Sequence, residues 1–335
     1  MTSTAPGGVL VTGASTPLGM ALCHRLLRTP GVTHVLAVAL EKREDLPALP
    51  MADERLHYHQ VDLSRLREAH ELLFRVARDL QVGVVLHLAM HRLAKDRGRR
   101  VHALNVEAFR QLMDLAERHP TIRRLVLRSY GEVYRVQHDL PCLVTEDHPL
   151  NLAPTAPQWI RDRVEADLTA CARMGLSRLQ IAVLRFAEVL APDSGSQLHD
   201  YLSAPICFRP MGFDPMINVL SNEDGTEALI RAMLADGVQG VFNIPGADTL
   251  PLSLCIRKWN RPAVPIPEQL IPALYRLRRR IRGADFSYGM NQRRFHYVSV
   301  LDGTRARETL GYSPANGVDW PGDTGHAGPR GTPEA

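Results

Sequence analysis

The chain has 335 residues, 45% of them hydrophobic, enough to bury the core of one large α/β domain or a domain and a half. Its 40 basic and 36 acidic residues leave a net charge of +4, too mild to suggest nucleic acid as a partner. The cysteines (Cys23, Cys142, Cys171, Cys207, Cys255) lack metal or redox spacing, which points to reduced thiols, no metal site and a cytoplasmic location.

The N-terminal Met-Thr-Ser-Thr-Ala-Pro-Gly-Gly has no basic region, so no signal peptide is expected. No apolar run is long enough to cross a bilayer. Residues 9–12 are short, apolar and largely β-branched, and predict the first strand. The chain turns on Gly13 and opens a helix through Met20 to Leu27. Ser15 or Thr16 can cap that helix, and Pro17 suits its first turn, where a missing N–H costs nothing. A buried strand, a glycine turn and a helix start aim unpaired N–H groups and the positive helix end at one spot. That spot suits a dinucleotide pyrophosphate.

Residues 33–39 read as a second buried strand, followed by Leu40, Glu41, Lys42 and Arg43. Residues 55–61 alternate as a third strand, with Asp62 and Leu63 behind it. His57 and His59 share one face of that strand and read as a surface pair. Leu66, Ala69, Leu72, Leu73, Val76 and Leu80 mark an amphipathic helix. Residues 82–88 form a fourth strand, a helix carries Asn105, and residues 122–127 form a fifth strand. This alternation implies right-handed crossovers and a parallel sheet.

Thr12-Gly13, Gly19, Asp62-Leu63, His87-Leu88-Ala89-Met90 and Asn105 together resemble the extended short-chain dehydrogenase/reductase superfamily, in its NAD-dependent epimerase/dehydratase branch. The resemblance implies a Rossmann-like, doubly wound parallel α/β sheet with a smaller C-terminal substrate lobe. It assigns residues 1–185 to an NAD(P)-binding domain and 186–315 to a substrate lobe interleaved with the sheet. It also implies a bound dinucleotide, NAD or NADP, held by Gly13, Ser15, Thr16, Pro17, Leu18, Asp62, Leu63, Leu88, Ala89, Met90, Asn105 and Arg163. Thr16 stands where the family has a middle glycine, and Ala39 where it has a ribose-binding acid. Glu41 can substitute for that acid, or Lys42 and Arg43 can suit a 2′-phosphate; both readings stay open.

The family places a Ser or Thr after the fifth strand and a Tyr-x-x-x-Lys on the next long helix. Here the fifth strand is followed by Arg128-Ser129-Tyr130-Gly131-Glu132-Val133-Tyr134. Counting back from Val133-Tyr134 puts Tyr130 on the hydroxyl position and Ser129 one residue early. By spacing, Trp159 replaces the tyrosine, Arg163 the lysine and Asp167 the family's glutamate. An indole N–H only donates and shuttles no proton near neutral pH, whereas arginine keeps its charge and can still grip ribose hydroxyls. The catalytic positions are therefore Ser129, Tyr130, Trp159 and Arg163, and two functions compete. One is a dinucleotide-binding pseudoenzyme that senses cofactor or scaffolds a partner. The other is an active epimerase, dehydratase or reductase on a nucleotide sugar or related hydroxyl/keto substrate, with Tyr130 as an atypical acid. A homodimer is open under both.

Residues 179–184 read as a sixth strand, and Leu184-Arg185 with Pro192 resembles the family's next motif. Residues 216–219, Glu223-Asp224-Gly225, residues 240–244 and Leu310-Gly311-Tyr312-Ser313-Pro314 resemble its later fold markers. Pro262, Pro265 and Pro267 make a stiff extended link. Leu270, Leu274, Leu277 and Ile281 then form a stripe, with Arg276, Arg278, Arg279, Arg280 and Arg282 around it. Leu270–Arg282 is either a lid whose arginines are solvated or hold substrate phosphate, or a helix lying on anionic membrane. From 316 to 335, Gly, Pro, Thr and Asp predict a disordered tail.

Overall fold

A computed structural model describes residues 7–282 and 286–322, so the N-terminal segment before Gly7 lies outside the described residues. Seven strands build the main sheet: β1 (Gly7–Thr12), β2 (Val32–Ala39), β3 (Leu56–Gln60), β4 (Val82–His87), β5 (Arg124–Tyr130), β6 (Gln180–Phe186) and β7 (Gly240–Ile244). All neighbours are parallel, in the order β3-β2-β1-β4-β5-β6-β7. Helices cover both faces, so the strands are near-continuous apolar runs; Val9, Leu10 and Val11 of β1 are fully buried. The order reverses between β1 and β4, and a crevice opens there beyond the carboxyl ends of the strands.

Strand β5 runs to Tyr130, past the end at Leu127 that its apolar pattern predicts. Arg128, Ser129 and Tyr130 pair with Leu184, Arg185 and Phe186 of β6, and the polar side chains find buried partners, so nothing forces an early end. This extension carries two of the predicted catalytic residues onto the sheet. The long helix α2 (Gln158–Cys171) brings Trp159 and Arg163 alongside them; α1 (Pro17–Leu26) starts under the crevice.

The C-terminal lobe has its own core of Tyr201, Cys207, Ile217, Ile256, Tyr275 and Phe295 with their neighbours. The proline-rich link pairs in parallel with Cys207–Pro210 through Ala263–Ile266. Residues 316–322 correct the tail prediction. Trp320 is 4% exposed, donates its indole N–H to Asp248 at 3.1 Å, and packs edge-on against Trp259. One large aromatic outweighs the loop-forming residues around it; residues 323–335 lie outside the described residues.

Helix α3 (Ile271–Arg282) turns its predicted stripe outward. Ile271 and Tyr275 take the buried positions, the Tyr275 ring packing against Phe286 and Tyr288. Leu270, Leu277 and Ile281 are left 54%, 56% and 71% exposed. The side chains of Arg279 and Arg282 lie outside the described residues. Among the described residues, no helix is long and apolar enough to cross a membrane.

Candidate nucleotide-binding site

The crevice is built on the turn after β1. Gly13 has φ +72°, and a Cβ there would sit 2.8 Å from the Ala89 nitrogen, so glycine is required by both conformation and space. Thr16, in place of a middle glycine, closes the turn itself. Its Oγ1 donates to the Gly13 carbonyl at 2.9 Å and accepts from the Gly19 N–H at 3.0 Å, capping α1 one residue before Pro17. Behind the turn, Thr12 Oγ1 accepts from the Leu88 and Ala89 N–H groups, both at 3.3 Å. Its proton therefore goes to His87 Nδ1 at 2.9 Å. Burial pushes the His87 pKa down to about 3, so the ring is neutral and structural.

The resulting cleft holds about 470 Å³. Gly13, Ser15 and Thr16 form its floor, Ala39, Leu40, Glu41 and Leu63 one end, and Ala89 to Arg92 the opposite wall. Glu41 faces this space and pairs with Arg92 at 2.7 Å; Lys42 and Arg43 are not among its lining residues. Pro17, Leu18 and Leu88 lie deeper, around a smaller space described below.

Two of the predicted cofactor contacts, Asp62 and Asn105, are not among the residues that line the cleft. Asp62 accepts from the Ser64 N–H and hydroxyl at 3.0 and 2.6 Å, which shapes the loop that presents Leu63. Asn105 is buried in a π-helical turn (Ala103–Glu107); it accepts the His91 N–H at 2.8 Å and donates to Asp162 at 3.1 Å. It thus fixes the wall rather than lining it.

His91, Arg92 and the roof at residues 191–200 escaped sequence reasoning. His91 and Arg92 directly follow the His87–Met90 match, a usable signal. The roof gave none, because it reaches the cleft only by folding back after β6. His91 also pairs with Asp96 at 2.8 Å.

Three of the predicted catalytic residues meet beyond Met90. The Arg163 guanidinium lies 3.6 Å from the Tyr130 ring centre and 3.8 Å from that of Trp159; Arg128 lies 3.8 Å from Tyr130. Arg163, with 1% of its side chain exposed, pairs with buried Glu132 at 2.9 Å. Arg294 continues the chain, 3.7 Å from Glu132 and 3.0 Å from Glu188. Burial works against the Glu132 charge, but Arg163, Arg294 and Arg128 outweigh it and hold the carboxyl well below its ordinary range.

Ser129 departs from its predicted place. Side chains alternate along a strand, so Arg128 and Tyr130 share one face and Ser129 takes the other. There its hydroxyl donates to Asp167 at 2.6 Å. Asp167 holds Arg185 through two bonds of 3.0 and 2.7 Å, and Arg185 donates to Tyr134 at 2.9 Å. This buried network joins β5, β6 and α2 and faces away from the cleft.

The stack borders two spaces, and Trp159 lines both. On the cleft side it bounds a space of only about 20 Å³, lined by Arg128, Tyr130, Trp159 and Arg163 with Thr16 and Gly195. On the other side Trp159 and Glu132 line a cavity of about 780 Å³, which Arg135, Arg293 and Arg294 make basic.

A sequence model of the NAD dependent epimerase/dehydratase family matches residues 9–202, more than half of the chain. The chain belongs to this family. Uncharacterized proteins of Mycobacterium tuberculosis (strain H37Rv) and Mycobacterium bovis are 33% identical over 316 residues, covering 92% of this chain and 80% of theirs. Solved family folds superpose along nearly the whole length. The UDP-glucuronic acid 4-epimerase of Bacillus cereus in complex with NAD gives a TM-score of 0.68 at 16% identity, covering 92% of each chain. The dTDP-glucose 4,6-dehydratase of Bacillus anthracis in complex with NAD gives 0.67 at 16%, again covering 92% of each. MoeE5 in complex with UDP-glucose and NAD gives 0.67 at 20%, covering 93% of this chain and 95% of its own.

Proposed function

We propose that this chain is a family member that binds an NAD-type dinucleotide and performs no hydride transfer, serving as a nucleotide sensor or scaffold. The reading rests on the stack of Trp159, Arg163 and Tyr130, whose Trp159 lines both the small space behind the nucleotide cleft and the basic cavity, and which we read as a partition between them. Hydride chemistry needs cofactor and substrate to share one space, with an acid–base group between them. Trp159 offers an indole N–H that does not exchange protons near neutral pH, and Arg163 stays charged. Tyr130 is buried against two guanidiniums.

The cleft's own residues fit a dinucleotide at its adenosine end. The Gly13 turn would cradle the pyrophosphate, and Glu41 would meet the adenosine ribose hydroxyls once released from Arg92. A carboxylate there favours NAD over NADP, because it would repel a 2′-phosphate. A bound nicotinamide would supply a hydride acceptor; the phenol that lines the adjoining space, Tyr130, has its ring packed against two guanidiniums. The basic cavity beyond Trp159 fits an anionic small molecule such as a nucleotide sugar. The test is turnover: with NAD and nucleotide sugars, no reduced nicotinamide and no altered sugar should form. The competing reading, an active enzyme with Tyr130 as the acid, requires turnover that Tyr130→Phe abolishes.

We also infer that α3 touches anionic membrane. Exposed Leu277 and Ile281 lie beside exposed Arg276 and Arg280, an apolar stripe flanked by cations. Among the described residues, none of α3 lines the nucleotide cleft or the basic cavity, so a substrate lid has less support.

A further inference from the structure

We propose that the cleft takes the adenosine diphosphate portion of its ligand and leaves the nicotinamide outside. The ligand class is then the adenine nucleotides that end at the diphosphate or the second ribose, such as ADP and ADP-ribose. Oxidised and reduced dinucleotides bind alike. This rests on reading the cleft as a nucleotide site and adds where that site stops.

Room, and what fills it, sets the limit. The cleft offers about 470 Å³ from the Glu41 end to Met90 and His91, and only about 20 Å³ beyond. A single water needs about 10–15 Å³ measured with a water-sized probe, so the deeper space admits one or two waters and no aromatic ring. The filling is also anchored. Arg163 is tied to Glu132, Glu132 to Arg294, and Arg294 to Glu188. Glu188 in turn accepts the Ser196 hydroxyl at 2.8 Å and the Leu198 N–H at 3.1 Å, so the roof of the cleft is locked to the same chain. Seating a nicotinamide would mean parting a guanidinium from two rings and a buried carboxylate, all linked to the roof.

The experiment is calorimetric titration of the full chain with ADP-ribose, NAD⁺ and NADH in parallel. The expected result is three dissociation constants within about threefold. A dinucleotide that binds tenfold or more tighter than ADP-ribose overturns the inference and leaves the nucleotide site standing. No binding of any of the three at millimolar concentration overturns both. Ser15→Trp adds bulk to the cleft floor from within the turn while leaving Gly13 and the Thr16 cap in place, and should remove binding of all three. Binding that survives it places the ligand elsewhere and also overturns the inference.

Discussion

Removing the Arg163 side chain tests the stack as a structural unit. Arg163→Ala deletes a guanidinium with 1% of its side chain exposed, 2.9 Å from Glu132. It also takes a cation off two aromatic rings. Each desolvated cation–ring contact is worth about 2 kcal/mol, and breaking a buried pair from one side costs about 3–5 kcal/mol. These overlap, because the same guanidinium makes both, and Arg294 still stands 3.7 Å from Glu132. The expected loss is therefore about 3–5 kcal/mol, read as a lower urea midpoint at unchanged slope. Arg163→Met with Glu132→Leu removes both charges at similar bulk and should recover most of it. The pH dependence supplies a second readout. Arginine neighbours hold the Glu132 carboxyl below its ordinary range, so its contribution is present above the unfolded carboxylate pKa. It fades as pH falls through the lower folded value, and that acid slope should shrink in Arg163→Ala. A loss below about 1 kcal/mol with an unchanged acid limb refutes the anchored stack.

Three further outcomes are expected. NAD should bind at least tenfold more tightly than NADP by calorimetry, and Glu41→Gln should narrow the gap; equal affinities contradict a carboxylate at the ribose. The chain should sediment with anionic vesicles at low salt and release at high salt, and Arg276→Gln with Arg280→Gln should abolish this; no sedimentation at low salt removes the membrane reading. Burial lowers the His87 pKa to about 3 from 6.5, so only the unfolded chain gains its proton as pH drops below about 6.5. Stability should fall over that window toward pH 3, and less so in His87→Gln; an equal fall in both puts the effect elsewhere.

The sheet was legible because buried parallel strands write themselves as apolar runs between helices. The strands with polar ends were not, since Ser129 and Arg128 stay in β5 only because Asp167 and the aromatic stack await them. The glycine turn was readable from Gly13 and Pro17. What Thr16 does there needed coordinates, because its hydroxyl replaces by hydrogen bonding what a glycine gives by absence. The substitutions Trp159 and Arg163 were visible by spacing, but their joint effect was not. Only the fold brings residues 128, 130, 159 and 163 into one stack. The α3 stripe was legible as an apolar face, but apolar periodicity shows a face without showing what it faces. Ile271 and Tyr275 won the core through their aromatic neighbours.

If no hydride passes from sugar to nicotinamide across the Trp159–Arg163–Tyr130 stack, a single-turnover measurement shows it directly. The full chain at high concentration is mixed with saturating NAD and UDP-glucuronic acid, UDP-glucose or dTDP-glucose, and followed by absorbance of reduced nicotinamide and by analysis of the sugar. Loss of acid–base help alone lowers the rate by about 10²–10⁴, and separation of the reactants lowers it further. No absorbance change and no new sugar are expected above the uncatalysed background. Reduced nicotinamide formed in proportion to enzyme, or a converted sugar, would contradict that expectation.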